Sequence, residues 1–459
     1  MEHIEQEAIK ARKALVKVKD EPAGILTMVA TDEYQFVYLD TYRLQKKPPV
    51  SLRLPVRQQP YVEDHLHSYF DNLLFEGEQL RLAEEKYGLQ RQSKVDRFKL
   101  LMLTGQNTLS AISVIPLIDD KPLLFTDIPT EREDLTTYPL MPAYSGFCSV
   151  CLKESPTGEH TACRRSLWGT QRSIRMEAFS QDPINIFRSI RLGQSISGAQ
   201  RKALFHLNQA KTLTREGFPQ YILKPDGEFP EMPANEHLTM SIARELGFPV
   251  PPIGLYKVEG IGLMCVIKRF DWSVKTGFQP TEDMAQLSEE LAERKNEGTL
   301  EQLAQIITQH TQSPAIELAD FFRRVLFCFV TGNGDMHLKN WSVFRDAKSE
   351  YQKLAPLYDH LNVRACYPQE SVEMVLSVNG KQKDLTIHDF TAFATSIGIN
   401  EKYRKACFTG VSRWSTTIEA FLERSLLSPD MKSRYRDVVR QRVSRLTAQN
   451  NVMGTCALP

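Results

Sequence analysis

The sequence predicts an α+β fold in which a β-rich lobe is followed along the chain by a helical lobe. Apolar, strand-like runs lie at Tyr221–Lys224 and Leu263–Lys268, and helical periodicity follows at Leu300–His310 and Ala315–Phe329. Strands that precede helices in this way are typical of the α+β class. The chain has 459 residues, which is enough for about two or three domains.

Composition excludes several functional classes. The 57 lysines and arginines nearly balance the 56 aspartates and glutamates, so the net charge of +1 gives no reason to expect direct nucleic-acid binding. No apolar run approaches the roughly 18 residues of a membrane span, and Met1–Lys19 lacks the apolar core of a signal peptide. The eight cysteines are mostly scattered, unlike a disulfide framework. We therefore expect a cytoplasmic protein with reduced thiols and no membrane association.

Patterning divides the chain into five sections. Strand-like runs such as Ala14–Val18 and helical periodicity through Tyr69–Gly88 predict a small α+β subdomain at the N-terminus. The next stretch is rich in Pro, Thr and acidic residues without clear periodicity, which is typical of an extended connection. The expected sections are 1–118 (N-terminal subdomain), 119–146 (linker), 147–180 (Cys/His segment), 181–271 (β-rich lobe) and 272–459 (helical lobe).

The strongest chemical signal is the run Gly332–Asn340, followed later by Asp359. In protein kinases a catalytic-loop aspartate acts on the substrate hydroxyl, an asparagine that follows after four residues binds Mg²⁺, and a second aspartate also holds Mg²⁺. Asp335 and Asn340 have this spacing, and Asp359 follows two apolar stretches. An Asp and an Asn near glycines are usually only a turn. The ordered triple nevertheless predicts Asp335, Asn340 and Asp359 as catalytic, with Mg²⁺ on Asn340 and Asp359.

Three upstream features complete the kinase pattern. Lys224 ends a predicted strand and Glu236 begins a helical stretch, and a strand lysine with a helix glutamate positions ATP phosphates in kinases. Considered alone, Lys224 would be read as a surface lysine and Glu236 as a first-turn glutamate. The backbone of Val266–Asp271 could bond adenine between the lobes. Ser195–Lys202 has small residues that let backbone amides approach phosphates, although it is neither a Walker A sequence nor a three-glycine loop.

These motifs together resemble the HipA family of toxin–antitoxin serine/threonine kinases, which implies a two-lobed protein-kinase-like fold. The resemblance covers most of the chain apart from about residues 119–181 and much of the last third. One departure is Arg201, where many members have Glu or Pro. The matching segments are Ser51–Pro55, Tyr69–Leu74, Phe98–Pro116, Ser195–Lys202, Ile222–Lys224, Asn235-Glu236, Lys268–Asp271, Glu282–Gln286, Asp335–Asn340 and Tyr358-Asp359.

The resemblance implies an activity, cofactors and partners. A member of this family uses ATP and Mg²⁺ to phosphorylate a protein serine, typically on an aminoacyl-tRNA synthetase, and pairs with a small DNA-binding, HipB-like antitoxin. Autophosphorylation at the positions of Ser195 and Ser197 would eject the phosphate loop. The Ser-Ile-Ser-Gly form resembles HipT-type kinases, whose N-terminal counterpart is a separate inhibitory protein; here the two are fused. The residues implied at ATP are Ser197, Gly198, Ala199, Gln200, Lys224, Glu236, Lys268, Phe270 and His337.

A Cys/His cluster predicts a structural metal site. Cys148, Cys151, His160 and Cys163 form two close pairs, which suit tetrahedral Zn²⁺, with a turn-forming stretch between the pairs. The alternative is a set of incidental thiols with a surface histidine. A redox Cys-x-x-Cys site is less favoured because no thioredoxin-like βαβ pattern surrounds it.

Three functions remain open from the sequence. The first is a protein kinase, the second a catalytically silent module that binds a DNA-binding antitoxin, and the third a small-molecule kinase. A silent module would be expected to lose some of the catalytic groups, so their joint presence favours a kinase. Fold resemblance alone does not decide between them.

Overall fold

The structure is a computed structural model that describes residues 2–74, 76–90, 93–108, 110–125, 134–188, 201–227, 231–273 and 275–447. Apolar side chains in these ranges gather in three cores, one in the N-terminal subdomain and two in the lobes that follow. Among the helices described, none combines the length and apolarity that a membrane span requires.

The N-terminal subdomain is an antiparallel six-stranded sheet with helices packed on it. Alternation along the first strand buries Ala14, Val16 and Val18 while the residues between them stay more exposed. The helical stretch expected from Tyr69 to Gly88 is two helices, α3 and α4. The sheet has the order β4-β3-β2-β1-β5-β6 and consists of β1 (Lys13–Val18), β2 (Glu21–Ala30), β3 (Glu33–Tyr38), β4 (Tyr61–Glu63), β5 (Ile112–Ile118) and β6 (Lys121–Pro122). The helices are α1 (Glu2–Lys10), α2 (Asp40–Leu44), α3 (Ser68–Asp71), α4 (Gly77–Tyr87) and α5 (Lys94–Thr104).

The β-rich lobe is built on an eight-stranded sheet in the order β7-β9-β11-β10-β12-β14-β13-β8. The strand runs expected at Tyr221–Lys224 and Leu263–Lys268 are both present and pair with each other in the middle of this sheet. The strands are β7 (Leu135–Pro139), β8 (Met141–Pro142), β9 (Arg175–Phe179), β10 (Ala203–Leu207), β11 (Thr212–Thr214), β12 (Tyr221–Pro225), β13 (Ile253–Val258) and β14 (Gly262–Lys268). Two helices, α6 (Thr161–Trp168) and α7 (Met232–Glu245), and a 3-10 turn at Pro183–Phe187 accompany it.

The segment expected to be a linker, 119–146, supplies strands at the sheet edges. β6 lies at one edge of the first sheet, and β7 and β8 form the two opposite edges of the second. All three contain proline, which lacks the N–H that an interior strand must donate but is tolerated at an edge. Pro122, Pro139 and Pro142, which favoured an extended connection in the sequence, therefore occur in edge strands. The second sheet begins well before residue 181, the start expected for the β-rich lobe.

The helical lobe surrounds a small sheet that carries the catalytic loop. The last six residues of α10, Val325 to Val330, are all apolar and all buried, as expected for the end of a core helix. The helices are α8 (Met284–Leu287), α9 (Leu300–His310), α10 (Pro314–Val330), α11 (Val363–Cys366), α12 (Ile387–Ser396), α13 (Glu401–Arg424) and α14 (Pro429–Thr447), with 3-10 turns at Ala292–Arg294 and Leu338–Asn340. The strands are β15 (Trp272–Ser273), β16 (Gly277–Phe278), β17 (Thr281–Asp283), β18 (Ser342–Arg345) and β19 (Gln352–Leu354).

Candidate active site

A buried ion pair joins the central strand of the β-rich lobe to the helix beside it. The Nζ atom of Lys224, on β12, donates to both carboxylate oxygens of Glu236 on α7, at 2.8 and 3.0 Å. Helix α7 begins at Met232, so Glu236 lies in its second turn rather than at its start, and both side chains are almost completely buried. The predicted pairing of a strand lysine with a helix glutamate is therefore present in the geometry.

The same lysine also contacts Asp359. Lys224 Nζ lies 2.5 Å from Asp359 Oδ1, so one ammonium group serves two carboxylates. Burial alone would lower the pKa of Lys224, but Asp359 and Glu236 outweigh it and hold this pKa above its usual value. Burial would raise the pKa of Asp359, yet Lys224 and Lys202 hold it well below its ordinary range. Lysine and aspartate both stay charged at neutral pH.

The backbone at Asp359 is unusual. Its φ of +53° lies in the left-handed region, which is costly for a residue with a Cβ and is concentrated at functional sites. The preceding Tyr358 is fixed by its hydroxyl, which donates to the carbonyl of Lys339 at 3.0 Å and contacts Ser342 Oγ. The phenol therefore ties the Asp359 segment to the catalytic loop and to β18.

The catalytic loop leaves α10 through a position that only glycine fits. Gly332 has a φ of +72°, and a Cβ there would lie 2.6 Å from Asn362 Oδ1 and 2.7 Å from Val438 Cγ1. Farther along, Asn340 Nδ2 donates to the carbonyl of Asp335 at 2.9 Å. Because the Asn340 amide nitrogen is bonded to Asp335, the Asn340 side-chain oxygen is the atom that could bind a hard cation such as Mg²⁺.

Asp335 is poised to titrate near neutrality. Burial, and next the negative charge of Asp359, raise the pKa of its carboxyl to about 6, against an opposing effect of Lys295. A carboxylate with a pKa in this range can accept a proton in a reaction at neutral pH. His337, two residues later, is buried with a pKa lowered to about 4, chiefly by burial, so its imidazole is neutral.

A cavity of about 190 Å³ lies between the lobes beside these groups. The N-terminal subdomain also lines it, through Asn72, Leu73, Glu76 and Ser110, which sequence reasoning did not identify because nothing local marks them. Lys202, the last residue of the predicted phosphate-loop segment Ser195–Lys202, also lines it, although the sequence analysis did not name it as an ATP-binding residue. The predicted residues that line it are Lys224, Lys268, Phe270, His337, Asn340 and Asp359, whereas Glu236 and Asp335 are not among its lining residues.

The predicted adenine-binding stretch forms one wall of this cavity. The Phe270 ring stacks on Tyr358, with 5.8 Å between ring centroids. The backbone N–H of Lys268 is already bonded to the carbonyl of Pro252, and the Lys268 ammonium donates to the carbonyl of Ser166 at 3.2 Å. Lys268 thus lines the cavity, but its backbone N–H and its ammonium are both hydrogen-bonded within the protein.

The predicted phosphate loop falls largely outside the described part of the chain. Ser195, Ser197, Gly198, Ala199 and Gln200 lie outside the described residues. Their roles remain predictions from the sequence.

The Cys/His cluster forms a compact group of potential ligands. The ligand atoms of Cys148, Cys151, His160 and Cys163 all lie within 4.8 Å of one another. Nε2 of His160 lies 2.8 Å from the carbonyl of Glu154, and Nδ1 lies 3.3 Å from Cys151 Sγ. When Nε2 donates to that carbonyl, Nδ1 presents its lone pair to the three sulfur atoms, as histidines that bind a metal do. The donor set fits tetrahedral Zn²⁺.

Comparisons with known proteins identify domain families and relatives of this chain. The chain matches the HipA N-terminal domain over residues 14–115 and the HipA-like C-terminal domain over residues 194–418. A Haemophilus influenzae protein named "Putative kinase" is 31% identical over 242 residues, which cover 46% of this chain and 68% of that relative. "Putative kinase Y4dM" from Sinorhizobium fredii is 25% identical over 411 residues, 84% of this chain and 86% of the relative.

A solved structure shares the whole fold. HipA of Shewanella oneidensis, determined in a complex with HipB and operator DNA, superposes with a TM-score of 0.66 over 95% of this chain and 97% of its own, at 18% identity. This likeness confirms the α+β, two-lobed, kinase-like fold that the sequence predicts. The two domain matches, the relatives and the shared fold show that the chain belongs to the HipA family.

Proposed function

We propose that this chain is an ATP-dependent serine/threonine protein kinase and the toxin of a toxin–antitoxin system. One observation carries the proposal: Lys224, Asn340 and Asp359, which come from separate elements, line one interlobe cavity. Glu236 is paired with Lys224, and the Asp335 carbonyl accepts from Asn340, so both lie next to lining residues. Each group supplies one of the functions that phosphoryl transfer requires in kinases.

The residues present fit ATP and Mg²⁺. Nδ1 of His337 is buried without a hydrogen-bond partner among the described residues, and His337 lines the cavity, so a phosphate oxygen could satisfy it. Lys224 would contact the phosphates while Glu236 fixes its position. Asn340 and Asp359 would hold Mg²⁺, which neutralises charge on the transferred phosphoryl group.

Asp335 would act on the acceptor. The hydroxyl oxygen of a substrate serine attacks the γ-phosphorus, the bond to the β-phosphate oxygen breaks, and ADP leaves. The hydroxyl proton passes to the Asp335 carboxylate, whose raised pKa suits this transfer.

Family membership supports proposals for the substrate and the partner. We propose that the substrate is a translation component such as an aminoacyl-tRNA synthetase, and that a small HipB-like antitoxin binds the chain in the cytoplasm. The Shewanella HipA structure, which contains HipB, supports the partner. We also propose that Ser195 and Ser197 are autophosphorylated and that Cys148, Cys151, His160 and Cys163 hold one structural Zn²⁺.

The decisive experiment incubates purified protein with γ-labelled ATP, Mg²⁺ and a bacterial lysate, comparing wild type with Asp335→Ala. Label in a lysate protein that requires Asp335 supports the kinase, and phosphoamino-acid analysis tests for serine. Label only in a small molecule would point to a small-molecule kinase instead. Absence of any Asp335-dependent transfer, including to the protein itself, would favour a catalytically silent module.

A further inference from the structure

A glutamate from the N-terminal subdomain reaches the catalytic loop of the helical lobe. Glu76 lies just before α4 and lines the interlobe cavity. Its Oε1 lies 2.8 Å from Lys339 Nζ and its Oε2 lies 2.5 Å from Lys295 Nζ. These contacts join parts of the chain more than two hundred residues apart, so they depend on how the subdomain docks.

Lys339 lies inside the catalytic loop, immediately before Asn340. Its side chain is only 4% exposed, and its ammonium also donates to the carbonyl of Asn72 at 2.9 Å. Both anchors of this loop lysine thus come from the N-terminal subdomain. The kinase lobes alone would leave the Lys339 ammonium without these two partners.

Lys295 holds the other side of the loop. While its side chain pairs with Glu76, its carbonyl accepts the N–H of Leu338 at 3.0 Å. The Glu76 carboxylate therefore holds the loop at two points. It contacts Lys339 directly, and it contacts Lys295, whose backbone carbonyl binds Leu338. These attachments lie within the four residues that separate Asp335 from Asn340.

Asp71 and Asn72, a few residues before Glu76, also contact the helical lobe. Asp71 Oδ2 accepts the N–H of Ala292 at 2.9 Å, and Asn72 Nδ2 donates to the carbonyl of Glu290 at 2.8 Å. Burial would raise the pKa of Glu76, but Lys339 and Lys295 lower it to about 2, so the carboxylate stays charged. A charged group in a docked segment can impose a fixed geometry on its partners.

We propose that Glu76 is a positioning residue for phosphoryl transfer, through which the N-terminal subdomain holds the catalytic loop in its working geometry. This inference rests on the proposed kinase activity. It assigns the subdomain a supporting role in catalysis within this chain. Glu76 acts through Lys339 and Lys295 and not on the reacting atoms.

The test compares Glu76→Gln, which keeps the shape and removes the charge, with Arg53→Ala as a matched control. Arg53 pairs with Glu289 at 2.7 Å across the same docking surface, but neither residue lines the cavity. Phosphate incorporation is measured across ATP concentrations, and ATP affinity by calorimetry. We expect Glu76→Gln to lower the rate at saturating Mg-ATP about tenfold or more with ATP affinity within about threefold, and Arg53→Ala to change neither.

A double-mutant cycle tests the route. If Glu76 acts through Lys339, the rate loss of Glu76→Gln/Lys339→Met falls well short of the product of the two single losses. If the two rate losses multiply, as independent effects do, the proposed route through Lys339 is overturned. A saturating rate that Glu76→Gln leaves unchanged, or an equal loss in Arg53→Ala, would overturn the positioning role.

A replacement variant and the wild-type activity separate the possible causes of a lost rate. If thermal melting shows that Glu76→Gln does not fold, Lys295→Met replaces it, since that side chain is one-fifth exposed and tolerates change better. The same selective loss of saturating rate is expected, and an unchanged rate overturns the role. Lack of transfer by wild type would contradict the kinase proposal itself, whereas an active wild type with an equally active Glu76→Gln contradicts only this inference.

Discussion

Lys224 and Asp359 lie 135 residues apart in the chain, yet they form a direct ion pair at 2.5 Å. The contact joins the central strand of the β-rich lobe to the segment that follows β19 in the helical lobe. The residue expected to contact phosphate and the residue expected to hold Mg²⁺ are thus side by side. We therefore expect stability and activity to depend on the same pair.

Replacing Lys224 with Met should reduce both stability and activity. Glu236 would be left buried without its cation, and loss of one partner of a buried pair costs about 3–5 kcal/mol. The double variant Lys224→Met/Glu236→Leu should regain part of the lost melting temperature but none of the phosphoryl transfer. Thermal melts with transfer assays check this, and a double variant that transfers phosphate would contradict the role of Lys224.

The rate of transfer should depend on pH through Asp335. The pKa of this carboxyl is raised to about 6, so the fraction of the charged base falls as pH drops below that value. We expect the saturating rate to rise from pH 5 to a plateau above about pH 7. Asp335→Ala should bind ATP but transfer at least about a hundredfold more slowly. Transfer within tenfold of wild type would be incompatible with a base at this position.

Asp359→Ala should affect nucleotide binding in a metal-dependent way. Asp359 is the charged ligand of the proposed Mg²⁺ site, so its loss should weaken the affinity for ATP measured with Mg²⁺ far more than without it. Calorimetry under both conditions separates these effects. An equal loss of ATP affinity with and without Mg²⁺ would show that Asp359 acts through Lys224 and not through the metal.

The purified protein should contain about one equivalent of zinc. Cys148→Ser/Cys151→Ser should lose it, and the segment around the cluster should then become more sensitive to proteolysis. Cys407→Ser, at a buried thiol on α13, is the control that should retain the metal. Elemental analysis measures the content, and zinc-free wild type prepared without chelators would refute the site. Some transfer activity should survive, since none of the four ligands lines the interlobe cavity.

Autophosphorylation should occur at Ser195 or Ser197. A phosphate there adds nearly two negative charges beside the phosphates of the nucleotide, and repulsion should weaken ATP binding. Ser195→Ala/Ser197→Ala should bind ATP without becoming phosphorylated, and the matching Asp variants should bind it less tightly. Mass spectrometry locates the phosphate. Phosphate found only elsewhere, or a phosphorylated loop with unchanged affinity, would exclude this switch.

Much of the fold was predictable because its signals are local. The strands that carry Lys224 and Lys268 and the helix α10 follow periodicity within a single element, and each lies close to its expected range. The spacing of Asp335 and Asn340 predicted that they act together, and in the structure the Asn340 amide donates to the Asp335 carbonyl; their catalytic roles stay predictions.

The remaining features depend on contacts between distant segments. Glu76 resembles any acidic residue before a helix, and only docking of the subdomain brings it to Lys339. The edge strands β7 and β8 were missed because proline lowers the strand signal even where an edge tolerates it. Short edge strands are defined by their neighbours in the sheet and not by their own sequence.

Covalent attachment of the N-terminal subdomain has a consequence for the docking contacts of Ser51, Asn72 and Glu76. Ser51 Oγ and the N–H of Leu52 both donate to the buried carboxylate of Glu282, at 2.5 and 2.7 Å. Because both surfaces belong to one polypeptide, each meets the other at an effective concentration of about millimolar, whatever the abundance of the protein. Contacts too weak to hold two separate chains together at cellular levels would be saturated here. Dilution therefore leaves Glu76 beside Lys339.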